Sequence, residues 1–263
     1  MKILQITDTH LFAASDNEDD PPMLFGFNTF ESLKHVIELV NKQDVPFDLV
    51  ILTGDLSEDE TASSYKRLAE LLSSLAKPVY YLFGNHDNSN MAREVFSEYP
   101  YFKHEREIIL ENWLIVLLNS KIEGKQEGNL APEELDRLKS LLTSHSEKHA
   151  LVCLHHNPIN MDPERLDKYI LQNAKEFFLV LDANVSKNVR GVMWGHVHQE
   201  YYSQRRDVTL MATPSTCAQF TPSETGIKLD YKPPGYRSLK LHKNGFIETE
   251  VRRLVFMPFE PSR

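Results

Sequence analysis

The sequence predicts an α/β fold, a two-sheet β-sandwich with helices outside and functional residues along one edge. Three observations predict it. Apolar strand-like runs alternate with helix-spaced segments through the first two-thirds of the chain. After residue 200 the periodicity shifts to short alternating strands with a hairpin signal. Finally, carboxylate, imidazole and amide side chains recur just after the apolar runs, where α/β sheets place their ligand sites.

Residues 2–7 read as a buried strand, followed at 8–23 by an acidic, proline-containing loop in which Asp16, Glu18, Asp19 and Asp20 face solvent. Phe30, Leu33, Val36, Ile37 and Val40 fall at helical spacing. Residues 48–53 form a second strand between Pro46 and Gly54. Tyr65, Leu68, Leu71, Leu72 and Leu75 mark a second helix, and a third strand ends at Phe83. The middle of the chain continues the theme. Strands are expected at 113–118, 149–154 and 189–194, and a helix carrying Leu135, Leu138, Leu141 and Leu142 opens near Pro132. Another helix is expected at 166–181. The last part reads as antiparallel strands at 201–205, 208–212, 236–241 and 246–252, with Lys243-Asn244-Gly245 as a hairpin turn. No linker or repeat divides the chain, so 1–263 is expected to be one domain.

Composition narrows the function. A net charge of −9 disfavours sequence-independent nucleic-acid binding, and no run approaches a membrane span. Residues 2–7 lead straight into a strand without a secretory pattern, and Cys153 and Cys217 are too few for a disulfide framework. A cytoplasmic protein is expected, with no nucleic-acid or membrane partner. The apolar segment 254–259 would cover its own sheet or support a homodimer.

Five clusters carry the chemistry: Asp8-Thr9-His10, Gly54-Asp55, Gly84-Asn85-His86-Asp87, His155-His156 and Gly195-His196-Val197-His198. Each taken singly has a plain structural reading, a turn with a capping Asp or a satisfied core histidine. Together they supply donors for two adjacent metal ions. Mixed oxygen and nitrogen donors without thiolate suit catalytic manganese, iron or zinc better than a structural zinc. The glycines before Asp55, Asn85 and His196 fit sharp turns beside bound ions. Gly-x-Ser-x-Gly, P-loop and Rossmann patterns are absent. Cys217 has no neighbouring base, and Cys153 sits within a strand, so both read as structural.

In this order the clusters resemble the calcineurin-like metallophosphoesterase superfamily over about the first 200 residues. The resemblance implies that Asp8, His10 and His198 hold one metal, that Asn85, His155 and His196 hold the other, and that Asp55 bridges them. His156 would stay outside the coordination. Two divalent ions are implied, iron and/or manganese first, with zinc and cobalt as alternatives. His10, Asn85, His86 and His198 would touch substrate. The segment 213–220, Thr-Pro-Ser-Thr-Cys-Ala-Gln-Phe, with Pro234-Gly235-Tyr236-Arg237 resembles the tail of bacterial class III cyclic nucleotide phosphodiesterases.

The implied function is metal-dependent hydrolysis of 3′,5′-cyclic AMP to 5′-AMP, with His86 as the acid for the leaving oxygen and Asp87 orienting its ring. One rival is a broader phosphodiesterase acting on glycerophosphodiesters, 2′,3′-cyclic nucleotides or nucleotide pyrophosphates. Another is a non-catalytic scaffold of the same fold, disfavoured because every donor is retained. A repair nuclease would need a basic channel that the charge balance argues against.

Overall fold

The computed structural model describes residues 1–15, 21–43, 46–161, 169–183, 188–221 and 228–257. The chain begins with β1 (Lys2–Ile6), then α1 (Thr29–Lys42), β2 (Leu49–Thr53), α2 (Ala62–Ser73), β3 (Val79–Leu82), α3 (Ser89–Phe96) and β4 (Phe102–Lys103). It continues through β5 (Glu107–Ile109), β6 (Trp113–Leu117), α4 (Pro132–Ser144), β7 (His149–Cys153), α5 (Ala174–Asp182) and β8 (Val189–Trp194). The remaining strands are β9 (Tyr201–Arg205), β10 (Val208–Ala212), β11 (Gln219–Thr221), β12 (Lys228–Asp230), β13 (Gly235–Leu241) and β14 (Ile247–Arg253).

Two six-stranded sheets form, ordered β14-β13-β1-β2-β3-β4 and β5-β6-β7-β8-β10-β9, with β11 and β12 as a separate ribbon. Ile3, Leu49, Ile51 and Leu82 from the first sheet meet Ile115, Leu151, Met193 and Met211 from the second. Leu33, Val36, Leu68, Leu72 and Phe96 bury the helices of the first half against the outer face of the first sheet. Leu138, Leu142, Phe177 and Leu181 do the same for the second. Strands buried on both faces explain why runs such as Leu49–Thr53 are continuously apolar rather than alternating. The two-sheet α/β prediction therefore holds.

Local chemistry sets the boundaries. Asn28 Oδ1 accepts from Glu31 N and Thr61 Oγ1 from Ser64 N, capping α1 and α2. Pro132 occupies the first turn of α4, as expected. The turn before β14 closes through His242 N to Phe246 O at 3.0 Å, with Gly245 at φ 88°.

Three expectations require correction. The strands at 201–212 are not wholly antiparallel: β10 pairs with β9 antiparallel but with β8 parallel. The β9–β10 hairpin closes the second sheet, while β13 crosses over to pair antiparallel with β1 in the first. The helix expected at 166–181 begins only at Ala174. Before it, Leu171 bridges Gly128 and Gln172 N donates to Gly128 O at 2.8 Å, so this stretch is held by the 128–130 segment. Residues 166–168 lie outside the described residues, as do Asp16, Glu18, Asp19 and Asp20. The third correction is an additional helix, α3, capped by Asn88 Oδ1 accepting from Met91 N at 3.1 Å. In the C-terminal segment, Leu254 is buried on its own first sheet while Val255 is 94 % exposed; residues 258 and 259 lie outside the described residues.

Candidate metal centre and active site

The loops after β1, β2, β3, β7 and β8 converge at one end of the sandwich. Asp8 N donates to Gly54 O at 3.0 Å and His10 N to Asp55 O at 3.0 Å, zipping the first two loops together. Asp8, His10, Asp55, His196 and His198 all have left-handed φ, between 44° and 68°. For non-glycine residues that region is sparsely populated, and its concentration here is the kind of local strain that active sites hold. Gly54 has φ 93°, and a Cβ there would overlap His155 and the backbone of Gly84. A Cβ at Gly84 would collide with the Asp55 carboxylate. Both positions need the missing side chain.

The inward atoms meet closely. His10 Nε2 lies 3.0 Å from His198 Nε2, and His155 Nε2 lies 3.2 Å from His196 Nδ1 and 3.1 Å from Asn85 Oδ1. Asp55 Oδ2 is 3.2 Å from His155 Nε2 and 3.7 Å from His10 Nε2, between the two groups. Asp8 Oδ1 is 3.7 Å from His198 Nε2. The carboxylate and imidazole donors of Asp8, His10 and His198 lie within 4.8 Å of one another, and so do those of Asp8, Asp55 and His155.

Surrounding acceptors fix which nitrogen carries the proton. His155 Nδ1 donates to Thr53 O at 2.7 Å, His198 Nδ1 to Ala218 O at 2.7 Å, and His10 Nδ1 to Glu58 Oε2 at 2.7 Å. The three Nε2 atoms are thereby turned inward, the arrangement metal-ligating histidines require. Asn85 Nδ2 donates to Gln126 Oε1 at 3.0 Å, which turns the amide oxygen toward His155. Bringing two imidazole lone pairs to 3.0 Å is repulsive unless a cation sits between or beside them. The donor set therefore fits a pair of divalent ions. Electrostatics agree: burial and then Asp55 raise Asp8 to about 6, while Asp55 and Asp8, against the opposing pull of burial, raise His155 to about 9. The carboxylates call for positive charge at the centre. Burial, reinforced by the neighbouring imidazoles, holds His196 down at about 3 and His198 well below its ordinary value.

His156 has a ring nitrogen within 4.8 Å of those of His155 and His196, but protein groups engage both of its nitrogens. Its Nε2 donates to Gln126 O at 3.2 Å and its Nδ1 accepts from Ser120 at 2.8 Å, so both ring nitrogens are occupied. Asp87 departs from the expectation. It is buried and accepts from Leu56 N, Ser57 N, Gly84 N and the Tyr65 hydroxyl, which tie the loops after β2 and β3 together. The carboxylate that meets the His86 ring is Glu58, at 3.2 Å from Nδ1. Sequence reading missed Glu58 because Ser-Glu-Asp-Glu after Gly-Asp reads as a solvated acidic loop. It also missed Gln126, whose stretch carries no motif.

The segment 213–220 lies beneath this centre. Ser215 Oγ donates to Asp8 O at 2.7 Å, Thr216 N to Thr7 O at 3.3 Å, and Ala218 O receives the His198 proton. Cys217 is buried beside Ser215, and burial pushes its thiol up to about 12, in keeping with a structural residue. Above the donors opens a cavity of about 250 Å³ lined by His10, Asn85, His86, Phe25, Tyr169 and Phe220 among others. Another cavity, of about 280 Å³ against β1 and β13, brings no comparable cluster of donors together.

A sandwich with two facing imidazole, carboxylate and amide sets at its strand ends defines a two-metal phosphoesterase. The calcineurin-like phosphoesterase model matches residues 1–200, and the chain belongs to that family. The chain is 38 % identical over 263 residues, 99 % of its length and 92 % of the relative's, to the 3′,5′-cyclic adenosine monophosphate phosphodiesterase CpdA of Escherichia coli K12. It is 36 % identical over 261 residues, 99 % of its length and 93 % of the relative's, to the protein of the same name in Vibrio vulnificus. Among solved structures, a dimetal phosphatase from Danio rerio shares the fold with TM-score 0.59 at 14 % identity, covering 90 % of this chain and 94 % of that one. Among the described residues no helix is long and apolar enough to cross a membrane.

Proposed function

We propose that this protein hydrolyses 3′,5′-cyclic AMP to 5′-AMP, using Asp8, His10 and His198 for one ion, Asn85, His155 and His196 for the other, and Asp55 between them. The observation that carries the chemistry is the convergence of inward-facing imidazole nitrogens on Asp8 and Asp55. The likeness to CpdA over nearly the whole chain supports the substrate. Two divalent ions held there would supply Lewis acidity to the phosphoryl oxygens and lower the pKa of the attacking water. Manganese or iron is proposed, with zinc and cobalt as alternatives.

The chain's own residues do the rest. Glu58 accepts from His10 Nδ1 and sits against His86 Nδ1, so one carboxylate sets both rings. Burial works against the charged His86, but the Glu58 hydrogen bond and Asp55 outweigh it and raise the ring to about 9. Glu58 at Nδ1 favours the imidazolium form, whose Nε2–H is the proton His86 would give. Hydrolysis adds water across the P–O3′ bond: phosphorus gains the water oxygen, O3′ departs, and His86 Nε2 gives O3′ its proton. The His86 side chain is 30 % exposed at the cavity, where a ribose oxygen can reach it.

The whole of 1–263 is proposed to act as one domain in the cytoplasm on a small-molecule nucleotide, without nucleic-acid or membrane partners. Two buried unpaired cysteines and the net charge of −9 support that setting. Chromatography of the reaction products provides the test. 5′-AMP from 3′,5′-cyclic AMP supports the reading; 3′-AMP would mean that the P–O5′ bond is cut and that His86 protonates a different oxygen.

A further inference from the structure

Residues 24–27 form a tight turn that closes on itself through Leu24 N to Phe27 O and Phe27 N to Leu24 O, both at 2.9 Å. Its two central residues, Phe25 at φ 50° and Gly26 at φ 82°, are both left-handed, the geometry of a type I′ turn. Asn or Asp ordinarily occupies the first central position. A phenylalanine there is strained, and strain of this kind points to a use.

Phe25 is 44 % exposed. It lines the cavity above the metal donors. Its edge-on contact with Phe220, 5.6 Å between centroids at 89°, is its one ring contact among the described residues. Phe220 in turn stacks on His198 at 4.5 Å and 18°. A run of rings thus leads from a metal-donor histidine at the floor to a half-bare phenyl at the rim. Behind it Leu24, Phe27, Cys217 and Ala218 pack as a small core, so the turn presents Phe25 from a fixed base.

A cyclic nucleotide has one anionic group and one flat apolar one. With the phosphate at the donors, the base must extend toward the rim, where Phe25 and Tyr169 form the wall. We propose that Phe25 is the specificity-determining residue that stacks on the purine of the bound cyclic nucleotide. This rests on the cyclic AMP reading above and adds to it the group that recognises the base.

The test compares 3′,5′-cyclic AMP with methyl ribofuranoside 3′,5′-cyclic phosphate, which keeps the ring diester and lacks the base. In the full-length manganese-loaded protein, Phe25→Ala is expected to cut the ratio of the two kcat/KM values about tenfold, mostly through KM for cyclic AMP, the usual scale for one base–aromatic stack. Phe25→Asn removes the ring with a residue that suits the turn, so it should melt no lower than the parent and show the same fall in ratio. Phe25→Trp should restore the ratio. An unchanged ratio in the Asn variant, whether both substrates fall together or neither does, overturns the stacking role while leaving the cyclic AMP reading intact. A parent protein that cleaves the base-free diester but not cyclic AMP overturns the reading and the stacking role with it.

Discussion

His10 Nε2 and His198 Nε2 face each other at 3.0 Å, each with its opposite ring nitrogen bonded to an oxygen acceptor. Neither ring can turn away without losing that bond, so the lone pairs are committed to the centre.

From this follows a metal prediction. Chelated protein should gain thermal stability on adding Mn²⁺, by about 2.7 kcal/mol for each occupied site at a hundredfold excess over its Kd. His198→Ala should bind close to one equivalent of metal less than the parent, read by elemental analysis. Equal metal content in the two would remove His198 from the ligand set.

His86 and Glu58 should separate chemistry from metal retention. His86→Ala is expected to lower kcat by about 10²–10⁴-fold, the range for general acid catalysis, with metal content retained. Glu58→Gln should give a smaller fall in kcat, since the amide can still accept from one of the two rings. Normal turnover in His86→Ala would assign the leaving-group proton to another donor.

Gly54→Ala tests the close approach of the loops. The substitution places a methyl at φ 93° and against His155 Nδ1, 2.5 Å from its Cβ position. Loss of more than about 1 kcal/mol is expected from the backbone alone, with further loss from the overlap. Metal affinity should fall with it. A variant with parental melting temperature and metal content would show that the loops have room to part.

Away from the site, Glu134 gives a pH prediction. It accepts from Asn119 N and Arg137 at 2.9 Å each and from Arg106 at 2.9 Å. Burial raises its pKa, but Arg137 and these bonds prevail and hold it below its ordinary 4.5. A group with a lowered folded-state pKa adds stability above the unfolded value and loses it as pH falls through the folded one. Glu134→Gln should therefore destabilise the protein by roughly 1–3 kcal/mol at pH 7. The difference from the parent should shrink below about pH 4.5. A gap in denaturation midpoints that stays constant from pH 7 to pH 3 would contradict this.

Much of the site could be read from the sequence because strand ends concentrate chemistry at fixed places. Asp8, Asp55, Asn85, His155 and His196 each follow an apolar run, and the structure brings all of them together. Glu58 was hidden because its role depends on the parallel bridge between Leu11 and Ser57, which lays one loop along another. Asp87 was legible as a functional type but not in its contacts, because Leu56, Ser57 and Tyr65 reach it only in three dimensions. Strand periodicity gave β9 and β10 but not their partners: an alternating strand carries no mark of whether its neighbour runs parallel, as β8 does. Phe25 falls between the loop at 8–23 and the helical spacing that starts at Phe30, and its φ of 50° is visible only in the fold.

The most direct measurement is kcat/KM of the manganese-loaded protein for 3′,5′-cyclic AMP, beside 2′,3′-cyclic AMP and bis-p-nitrophenyl phosphate. A higher value for 3′,5′-cyclic AMP than for the 2′,3′ isomer, with 5′-AMP as product, is the predicted result. Turnover of only the 2′,3′ isomer and the activated diester would contradict it, leaving a phosphodiesterase with a different substrate.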